Sequence, residues 1–138
     1  MADIVNRATR SRMMSGIRGK DTKPELVVRR FLHARGLRFR LHDRRLPGRP
    51  DLVFPQYKVA LFVHGCFWHQ HAGCRYAYMP ATNQQFWQSK LRGNVVRDRL
   101  HEDKLTIEGW RVLTVWECQV HVESTMNELA DTIRGISK

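Results

Sequence analysis

The sequence predicts a mixed α/β domain, and three observations lead to that prediction. Helical and strand patterns alternate along the chain in the order helix, strands, helix, strand, helix, as in domains whose helices pack on a sheet. Neither an internal repeat nor a linker divides the chain. Its 138 residues, of which 42% are hydrophobic, suit one modest core. We therefore expect a single domain spanning residues 1–138.

The first helix is predicted from its capping pattern and its apolar face. Residues 22–25 read TKPE, which is a capping box with proline in the first turn. Apolar side chains then recur at helical spacing, at Val27, Val28, Phe31 and Leu32. Gly36 is expected to end the helix, because glycine adopts the left-handed conformation that often follows a last turn.

The segments that follow are predicted to form three strands separated by turns. Residues 37–41 alternate apolar and basic side chains, as a half-exposed strand does, and residues 46–50 form a turn. Residues 51–54 and 58–63 are short apolar runs on either side of a second turn, which predicts a hairpin. Asp51 opens this hairpin and His64 lies just past its end, so both side chains could face one pocket.

The second half of the chain predicts a long helix, one strand and a last helix. Residues 64–81 are irregular and rich in histidine, cysteine and aromatic residues. A second capping box, Thr82 with Gln85, starts a helix that runs to about residue 108 and that Gly93 could bend. Residues 111–116 form a strand and residues 123–134 an amphipathic helix. Trp110 and Trp116 are expected in the core.

The charge of the chain indicates a nucleic-acid partner. The formal net charge is +11, and residues 1–50 hold 14 basic and 4 acidic side chains against 10 and 9 in the remainder. Much of the excess is arginine, whose guanidinium matches phosphate oxygens in a bidentate way. Residues 1–20 therefore read as a basic arm that binds DNA, although a basic surface without a partner is the plainer alternative.

Other sequence features indicate where in the cell the protein is located. The longest apolar run, residues 59–63, is far too short to span a membrane, and the first residues lack a signal-peptide core. We therefore expect a cytoplasmic protein without membrane partners. The three cysteines are an odd number, which argues against a disulfide framework and leaves metal ligands or buried thiols.

The spacing of these cysteines predicts a structural zinc site. Cys66, His71 and Cys74 lie close enough for one loop to supply three ligands, and Cys118 is the thiol that remains for the fourth position. His69 could replace His71, since spacing alone decides weakly between them. The alternative interpretation is three buried thiols beside unrelated histidines.

A second set of residues has the chemistry of phosphodiester hydrolysis. Asp51 is a hard oxygen ligand that suits magnesium, and a histidine at position 64 or 69 suits a general base or a contact to phosphate. Glu25, on the first helix, is a further acid. A turn aspartate and unrelated histidines are the alternative interpretation, so these residues are candidates rather than a motif that stands alone.

Aromatic side chains cluster in and after the proposed zinc loop. Phe67 and Trp68 are adjacent on that loop and cannot easily both enter one core, so we expect them to stack into a DNA duplex. Phe86 and Trp87 open the next helix, and Phe86 is expected to pack in the core. Met14, in the basic arm, could enter the duplex from another side.

These motifs together resemble the very-short-patch-repair family of DNA mismatch endonucleases. The resemblance covers nearly the whole chain and is most specific in the segment FVHGCFWH, residues 62–69. The other matching segments are TRSRMM at 9–14, LPGRPD at 46–51, NVVRD at 94–98, GWRVL at 109–113 and VWEC at 115–118. It implies a fold like type II restriction endonucleases of the PD-(D/E)XK type, with a central mixed sheet flanked by helices and a structural zinc site.

The resemblance also implies an activity and roles in it. The family nicks one strand, with magnesium, 5′ of the mispaired thymine of a T:G mismatch left by deamination of 5-methylcytosine. Asp51 matches the metal-binding aspartate, His69 the general base and His64 the second active-site histidine. Glu25 matches an acid near the metal. The family often has threonine where Val63 stands, and the magnesium contact would then be the Val63 main-chain carbonyl.

The remaining roles implied by the resemblance are structural and DNA-binding. It implies zinc ligands at four positions and so favours His71 over His69: Cys66, His71, Cys74 and Cys118. It implies intercalating side chains at Phe67, Trp68 and Trp87, and the basic arm adds Met14. We expect a bacterial, DNA-associated monomer with possible repair-protein partners. A non-catalytic zinc-stabilised DNA-binding module and a stand-alone restriction endonuclease are the alternatives.

Overall fold

The computed structural model describes residues 22–135 of the chain. These residues form three α-helices and a four-stranded sheet: α1 (Lys23–Ala34), β1 (Arg40–Leu41), β2 (Leu52–Phe54), β3 (Val59–His64), α2 (Gln84–Ile107), β4 (Arg111–Trp116) and α3 (Glu123–Arg134). The predicted mixed α/β class and the order of its elements are confirmed. The basic arm and Met14 lie outside the described residues.

The sheet combines an antiparallel meander of three strands with a fourth, parallel strand that is reached through a crossover connection. Its strand order is β1-β2-β3-β4, with β1, β2 and β3 antiparallel in turn and β4 parallel to β3. The predicted hairpin is therefore present, and Leu52 pairs with Leu61 in it. A parallel pair needs a crossover connection, and the segment from residue 65 to 110 with α2 supplies it. Because β3 and β4 run in parallel, their carboxyl ends meet at His64 and Trp116.

The helix α1 forms where the capping pattern predicts it. The Thr22 side chain accepts a hydrogen bond from the Glu25 amide (3.4 Å), and Pro24 lies in the first turn, where its missing N–H costs nothing. Val28 and Leu32 are fully buried against the rest of the core. Only half of the capping box forms, because the Glu25 side chain bonds to Arg29 and His42 instead.

The core lies between α1, α3 and the sheet. It consists of apolar side chains from each of these elements, among them Val28, Leu32, Leu52, Phe54, Val59, Leu61, Met126 and Ile133. All three residues of β2 and the first three of β3 are buried, as expected of strands covered on both faces. The apolar face of α3 closes the core on one side through Met126, Leu129, Ala130 and Ile133.

The long helix α2 differs from its prediction in two respects. It begins at Gln84 after Asn83, which has φ of 55° and makes no side-chain cap, so the capping box predicted at Thr82 and Gln85 is wrong. It also continues without interruption through Gly93. Only Leu91 and Leu105 are buried, and the helix forms one wall beside the sheet rather than part of its core. Because few apolar side chains fix α2 to the rest of the domain, most of its surface is available for other contacts.

Other local predictions need correction. The strand predicted at 37–41 is reduced to Arg40–Leu41, although Leu37 is buried in the core. Phe86, predicted in the core, is 59% exposed, because the first turn of α2 projects beyond the sheet. Trp110 is only half-buried and lies under the Lys58 ammonium, 4.5 Å from the ring centroid, and Trp116 is also half-buried. Among the described residues, no helix is both long and apolar enough to cross a bilayer.

A glycine fixes the approach of the 46–50 turn to α2. Gly48 has φ of 76°, and a Cβ there would lie 2.9 Å from the His101 side chain. We expect Gly48→Ala to lower the free energy of unfolding by at least about 1 kcal/mol more than Gly109→Ala. Gly109 also has positive φ (92°) but has nothing within 4 Å of its added Cβ. Urea denaturation measures both, and equal losses would show that the His101 contact imposes no constraint.

Candidate active site and metal centre

A cleft of about 860 Å³ opens between the sheet and α2. It is lined by acidic, basic and imidazole side chains from α1, the 41–51 segment, the end of β3 and α2. Four of the predicted catalytic residues line it: Glu25, Asp51, His64 and His69. The structure therefore brings into one cavity side chains that the sequence separates by up to 44 positions.

Asp51 lies on the cleft floor immediately before β2. The antiparallel pairing of β2 with β3 brings its carboxylate to the Val63 amide, which donates a 2.7 Å hydrogen bond to Oδ2. The pKa of Asp51 is raised to about 7, mainly by burial and in part by the neighbouring Glu25 carboxyl, whereas the Val63 hydrogen bond opposes the shift. A carboxylate held here without a cation is costly, which is the condition that favours a bound metal ion.

Glu25 approaches Asp51 from the first turn of α1 and is 1% exposed. Its Oε2 atom pairs with the Arg29 guanidinium, and His42 Nε2 lies 2.8 Å from the same oxygen. One ligand atom each from Glu25, His42 and Asp51 lies within 4.8 Å of the others, so this group could hold a metal ion. The sequence analysis did not find Arg29 or His42, because nothing in the local sequence distinguishes them from surface residues.

The two predicted histidines are stacked on the opposite side of the cleft. The rings of His64 and His69 are parallel, with centroids 3.7 Å apart. The pKa of His64 is lowered to about 4, mainly by burial and in part by the neighbouring His69 imidazole. His69 Nδ1 lies 2.6 Å from Asp98 Oδ2 on α2. A carboxylate at Nδ1 fixes the imidazole tautomer with its proton at Nδ1 and leaves Nε2 able to accept a proton.

Asp98 is a site residue that the sequence analysis did not assign. It lies in the NVVRD segment, and α2 presents Asn94, Asp98 and His101 at helical spacing along the cleft. Asn94 donates a 3.0 Å hydrogen bond to the Trp68 carbonyl, so this face of α2 also holds the loop after β3. The spacing was visible in the sequence, but polar residues at that spacing are also typical of a solvated helix face.

A separate cluster of thiols and one imidazole lies at the carboxyl ends of β3 and β4. Ligand atoms of the four residues lie within 4.8 Å of one another: Cys66, His71, Cys74 and Cys118. His71 Nδ1 is 3.7 Å from Cys66 Sγ and 3.5 Å from Cys118 Sγ. The structure groups His71, and not His69, with the thiols, because His69 is turned towards Asp98.

This donor set fits a tetrahedral soft-metal ion. Bonds of about 2.3 Å to sulfur and 2.0 Å to nitrogen place tetrahedral ligands about 3.5–3.8 Å apart, which is close to the distances found here. Burial raises the pKa of the Cys66 thiol to about 12, and a bound divalent cation would favour the thiolate. Glu117 Oε1 accepts a 3.0 Å hydrogen bond from the Cys66 amide, which ties the loop to the turn that carries Cys118. The cluster can therefore bind a metal ion.

The aromatic residues after β3 form a cluster of their own. Phe67 and Trp68 are half-buried and meet edge to face with centroids 5.1 Å apart. Trp87 packs against both, and Tyr78 lies 5.0 Å from Phe67. The loop and the first turn of α2 thus present adjoining rings outside the core. The predicted intercalation is not tested by this geometry.

Comparisons with known proteins show which family the chain is similar to. The model of the family described as DNA mismatch endonuclease Vsr matches residues 2–75. The chain is 44% identical over 136 residues to the type II nicking enzyme V.XorIIP of Xanthomonas oryzae pv. oryzae, covering 99% of this chain and 97% of that protein. It is 44% identical over 134 residues to DNA mismatch endonuclease Vsr of Escherichia coli, covering 97% of this chain and 85% of that protein.

The grouping of His71 with the thiols predicts which histidine a metal depends on. We expect His71→Ala to lose about one equivalent of bound zinc, because removal of one of four ligands weakens the site by orders of magnitude. His69→Ala should retain the metal, since its imidazole bonds to Asp98. Elemental analysis of both purified variants measures the content. Loss of zinc from His69→Ala alone would contradict the cluster as described.

The raised pKa of Asp51 predicts that its charge destabilises the magnesium-free protein. Because the pKa in the folded state, about 7, exceeds the usual 3.8, stability falls as pH rises through this interval. At pH 8 we expect Asp51→Asn to raise the free energy of unfolding by on the order of 2 kcal/mol, and at pH 4 to change it little. Urea titrations in magnesium-free buffer without chelator, which leave any metal at the Cys/His cluster in place, measure both changes.

Asp43 offers the matched control for this prediction. Hydrogen bonds from Arg45 lower the pKa of its carboxyl, so its charge stabilises the fold above the usual pKa. Asp43→Asn should therefore lower stability at pH 8, the opposite sign to Asp51→Asn. A loss of stability in both variants would show that the ionised carboxylate of Asp51 does not destabilise the folded protein.

Proposed function

Because this chain belongs to the DNA mismatch endonuclease Vsr family and is therefore a DNA endonuclease, we propose that it nicks one strand 5′ of the mispaired thymine in a T:G mismatch, with magnesium. This is the first step of very short patch repair of deaminated 5-methylcytosine. The observation that carries the proposal is the convergence of Asp51 and Glu25 with His64 and His69 in one cleft. The four-stranded mixed sheet is consistent with a nuclease-like fold.

The charge around the cleft supports a duplex substrate. The chain has a net charge of +11, and four basic side chains line the cleft itself: Arg44, Arg49, Lys90 and Arg97. Contacts of this kind neutralise phosphates and release counterions, which supplies most of the affinity that does not depend on sequence. The strand to be cut would lie along this basic margin with its phosphate over the cleft floor.

The residues on the floor suit a magnesium ion. Asp51 would be its protein ligand, with the Val63 main-chain carbonyl beside it and Glu25 nearby, and the buried carboxylates supply the hard oxygen atoms that this ion prefers. Magnesium bound there would supply charge neutralisation on the phosphate and a lowered pKa for a coordinated water. The Val63 amide holds the Asp51 carboxylate in a fixed orientation, 2.7 Å away.

The histidines supply the proton transfers. His69, with Asp98 at Nδ1, would accept a proton from the attacking water at Nε2. Water oxygen then bonds to phosphorus as the bond to the 3′ oxygen breaks, and that oxygen takes up a proton from the solvent to leave as the 3′-hydroxyl. His64, whose pKa is lowered to about 4, stays neutral and can donate to a phosphate oxygen or steady the His69 ring against which it stacks.

Mismatch recognition is assigned to the aromatic cluster. Phe67, Trp68 and Trp87 form a compact set of rings beside the cleft, which suits stacking into an opened base step. A wobble pair is displaced more easily than a matched pair, which adds to discrimination. Met14 would enter from the basic arm. The loop that bears Phe67 and Trp68 is also the loop that a zinc ion at the Cys/His cluster would hold rigid.

Cleavage of one strand rather than two is supported by the relatives. Two relatives, from Xanthomonas oryzae and Neisseria meningitidis, are named type II nicking enzymes. We propose accordingly a monomer that acts in the cytoplasm of a bacterium, with other repair proteins as possible partners. A stand-alone restriction endonuclease would cut matched duplexes on both strands, and a binding module would cut neither.

A nicking assay tests the proposed function. We expect the protein with magnesium to nick a duplex with one T:G pair 5′ of the thymine, and to leave the T:A and C:G duplexes intact. Asp51→Ala should lower the rate by about 10³-fold, equivalent to about 4 kcal/mol of barrier. Asp103→Ala, the same change at an exposed position of α2, should leave it unchanged. Denaturing gels that resolve both labelled strands give the site and the strand.

Three outcomes would contradict the proposal. Retained binding without a nick, across varied flanking sequences, would favour the non-catalytic DNA-binding module. Cleavage of both strands in a matched duplex would favour the restriction endonuclease. A full rate in Asp51→Ala would mean that the cleavage chemistry lies elsewhere.

A further inference from the structure

We propose that His42 is a positioning residue that holds Glu25 against Asp51 and thereby sets how tightly the cleft binds its divalent cation. The inference rests on the proposed function only in assigning the cation to magnesium. His42 is not a member of any motif in the sequence analysis, and it lines the cleft beside both carboxyls.

The first argument is that one residue contacts both carboxyl-bearing segments. The His42 side chain reaches Glu25, with Nε2 2.8 Å from Oε2. Its backbone amide donates a 3.1 Å hydrogen bond to the Asp51 carbonyl. Glu25 belongs to α1 and Asp51 precedes β2, so His42 joins two elements that are not adjacent along the chain. A shift of His42 would therefore move the two carboxyls relative to each other.

The second argument is backbone strain. His42 has φ of 47°, in the left-handed region that residues other than glycine adopt at a cost of about 1 kcal/mol. The side chain is only 19% exposed and directed at Glu25, whose side chain is 2% exposed. Strained conformations that persist beside a site indicate that the surrounding structure requires them. Here the strained turn leaves β1 and presents the imidazole to the carboxyl.

The third argument concerns the chemistry of the pair. Two carboxyls with oxygen atoms within 4.8 Å of each other repel when both are ionised, so their mutual placement needs donors on their outer sides. Arg29 and His42 both act on Oε2 of Glu25 and so fix the orientation of its carboxyl group beside Asp51. A pair of carboxylates held in this orientation is prepared for a cation, and affinity rises when ligands need not reorganise.

Direct ligation by the imidazole is the competing role for His42. Its ring nitrogen lies within 4.8 Å of the carboxyl oxygens, which would allow it. However, the Arg29 guanidinium lies 3.5 Å from the same Nε2 atom, and a cation at that nitrogen would be held against a positive charge. A hydrogen bond from Nε2 to Glu25 has no such conflict. The two roles predict opposite behaviour for a glutamine substitution, since glutamine donates a hydrogen bond but lacks the imidazole.

Manganese binding by the full-length, zinc-loaded, DNA-free protein tests the role without nicking activity. Electron paramagnetic resonance measures the concentration of free Mn²⁺ during the titration. The Mn²⁺ binding that is lost in Asp51→Asn is assigned to the cleft site. We expect His42→Leu to weaken this binding about tenfold, the effect of losing one hydrogen bond to a charged group. His42→Gln should remain within about threefold of the original protein because its amide restores the donor. Leucine and glutamine must both adopt the left-handed backbone conformation of residue 42, so the backbone strain is the same in the two variants. His33→Leu, at an exposed position of α1, should leave the Mn²⁺ affinity unchanged.

Nicking at varied magnesium supplies the second readout. His42→Leu should raise the magnesium concentration for half-maximal nicking about tenfold while the rate at saturating magnesium stays near that of the original protein. Loss of rate at every magnesium concentration, with the half-maximal concentration unchanged, would contradict a positioning role. A protein that binds Mn²⁺ at the Asp51 site but nicks no mismatched duplex would overturn the proposed function and leave this inference standing.

Two binding results would overturn the inference. Unchanged Mn²⁺ affinity in His42→Leu would show that Arg29 alone fixes Glu25. Affinity in His42→Gln as low as in His42→Leu would identify the imidazole as a ligand. If His42→Leu does not fold, as circular dichroism would report, the comparison of His42→Gln with the original protein still decides between positioning and ligation.

Discussion

The pairing of β3 with its two neighbours is the constraint on which both candidate sites depend. Antiparallel pairing with β2 brings the Asp51 carboxylate to the Val63 amide, and a shift of one residue would turn Val63 and His64 to the opposite faces. Parallel pairing with β4 places His64 opposite Trp116, so the loops that follow the two strands meet at one edge of the sheet. The cleft and the Cys/His cluster are consequences of that shared edge, where ligands are commonly bound in α/β folds.

Trp116 connects the two sites physically. Its indole stacks on His71 of the Cys/His cluster, with centroids 4.2 Å apart, and meets the His64 ring edge to face, with centroids 5.2 Å apart. Ordering of the 65–77 loop by a metal would therefore position His69, which belongs to that loop, and would act on His64 through its contacts with Trp116 and His69. A structural ion in this protein would act on the cleft through packing rather than through its charge.

The cleft that holds the candidate catalytic residues is assembled at the expense of stability. Two carboxyls are buried together, a histidine is held neutral by burial, and His42 adopts a left-handed backbone. Each of these features is unfavourable for folding in isolation, and together they are typical of a site prepared for a cation and a phosphate. The fully buried side chains of the core between α1, α3 and the sheet do not line the cleft, and their burial can offset this cost.

The sequence by itself determined the features that depend on near neighbours. Thr22 and the apolar period of α1 specified that helix, turns at 46–50 and 55–57 specified the hairpin, and the close spacing from Cys66 to Cys74 indicated a metal loop. Capping, periodicity and ligand spacing are local, so they can be read along the chain. Even so, the start of α2 was misplaced, because Asn83 begins it with a left-handed residue and no side-chain cap.

Only the tertiary structure decided which distant side chains act together. Asp98 meets His69 across 29 positions, and His42 meets Glu25 across 17. Spacing alone left His69 and His71 open as partners of the thiols, and the structure groups His71 with them, as the family resemblance implied. Each pairing depends on strand register and on how α2 lies against the sheet. The hydrophobic periodicity of the sequence does not predict the register or the packing of α2. An Asp or His on a solvated helix face gives the same sequence pattern as one that lines a cleft.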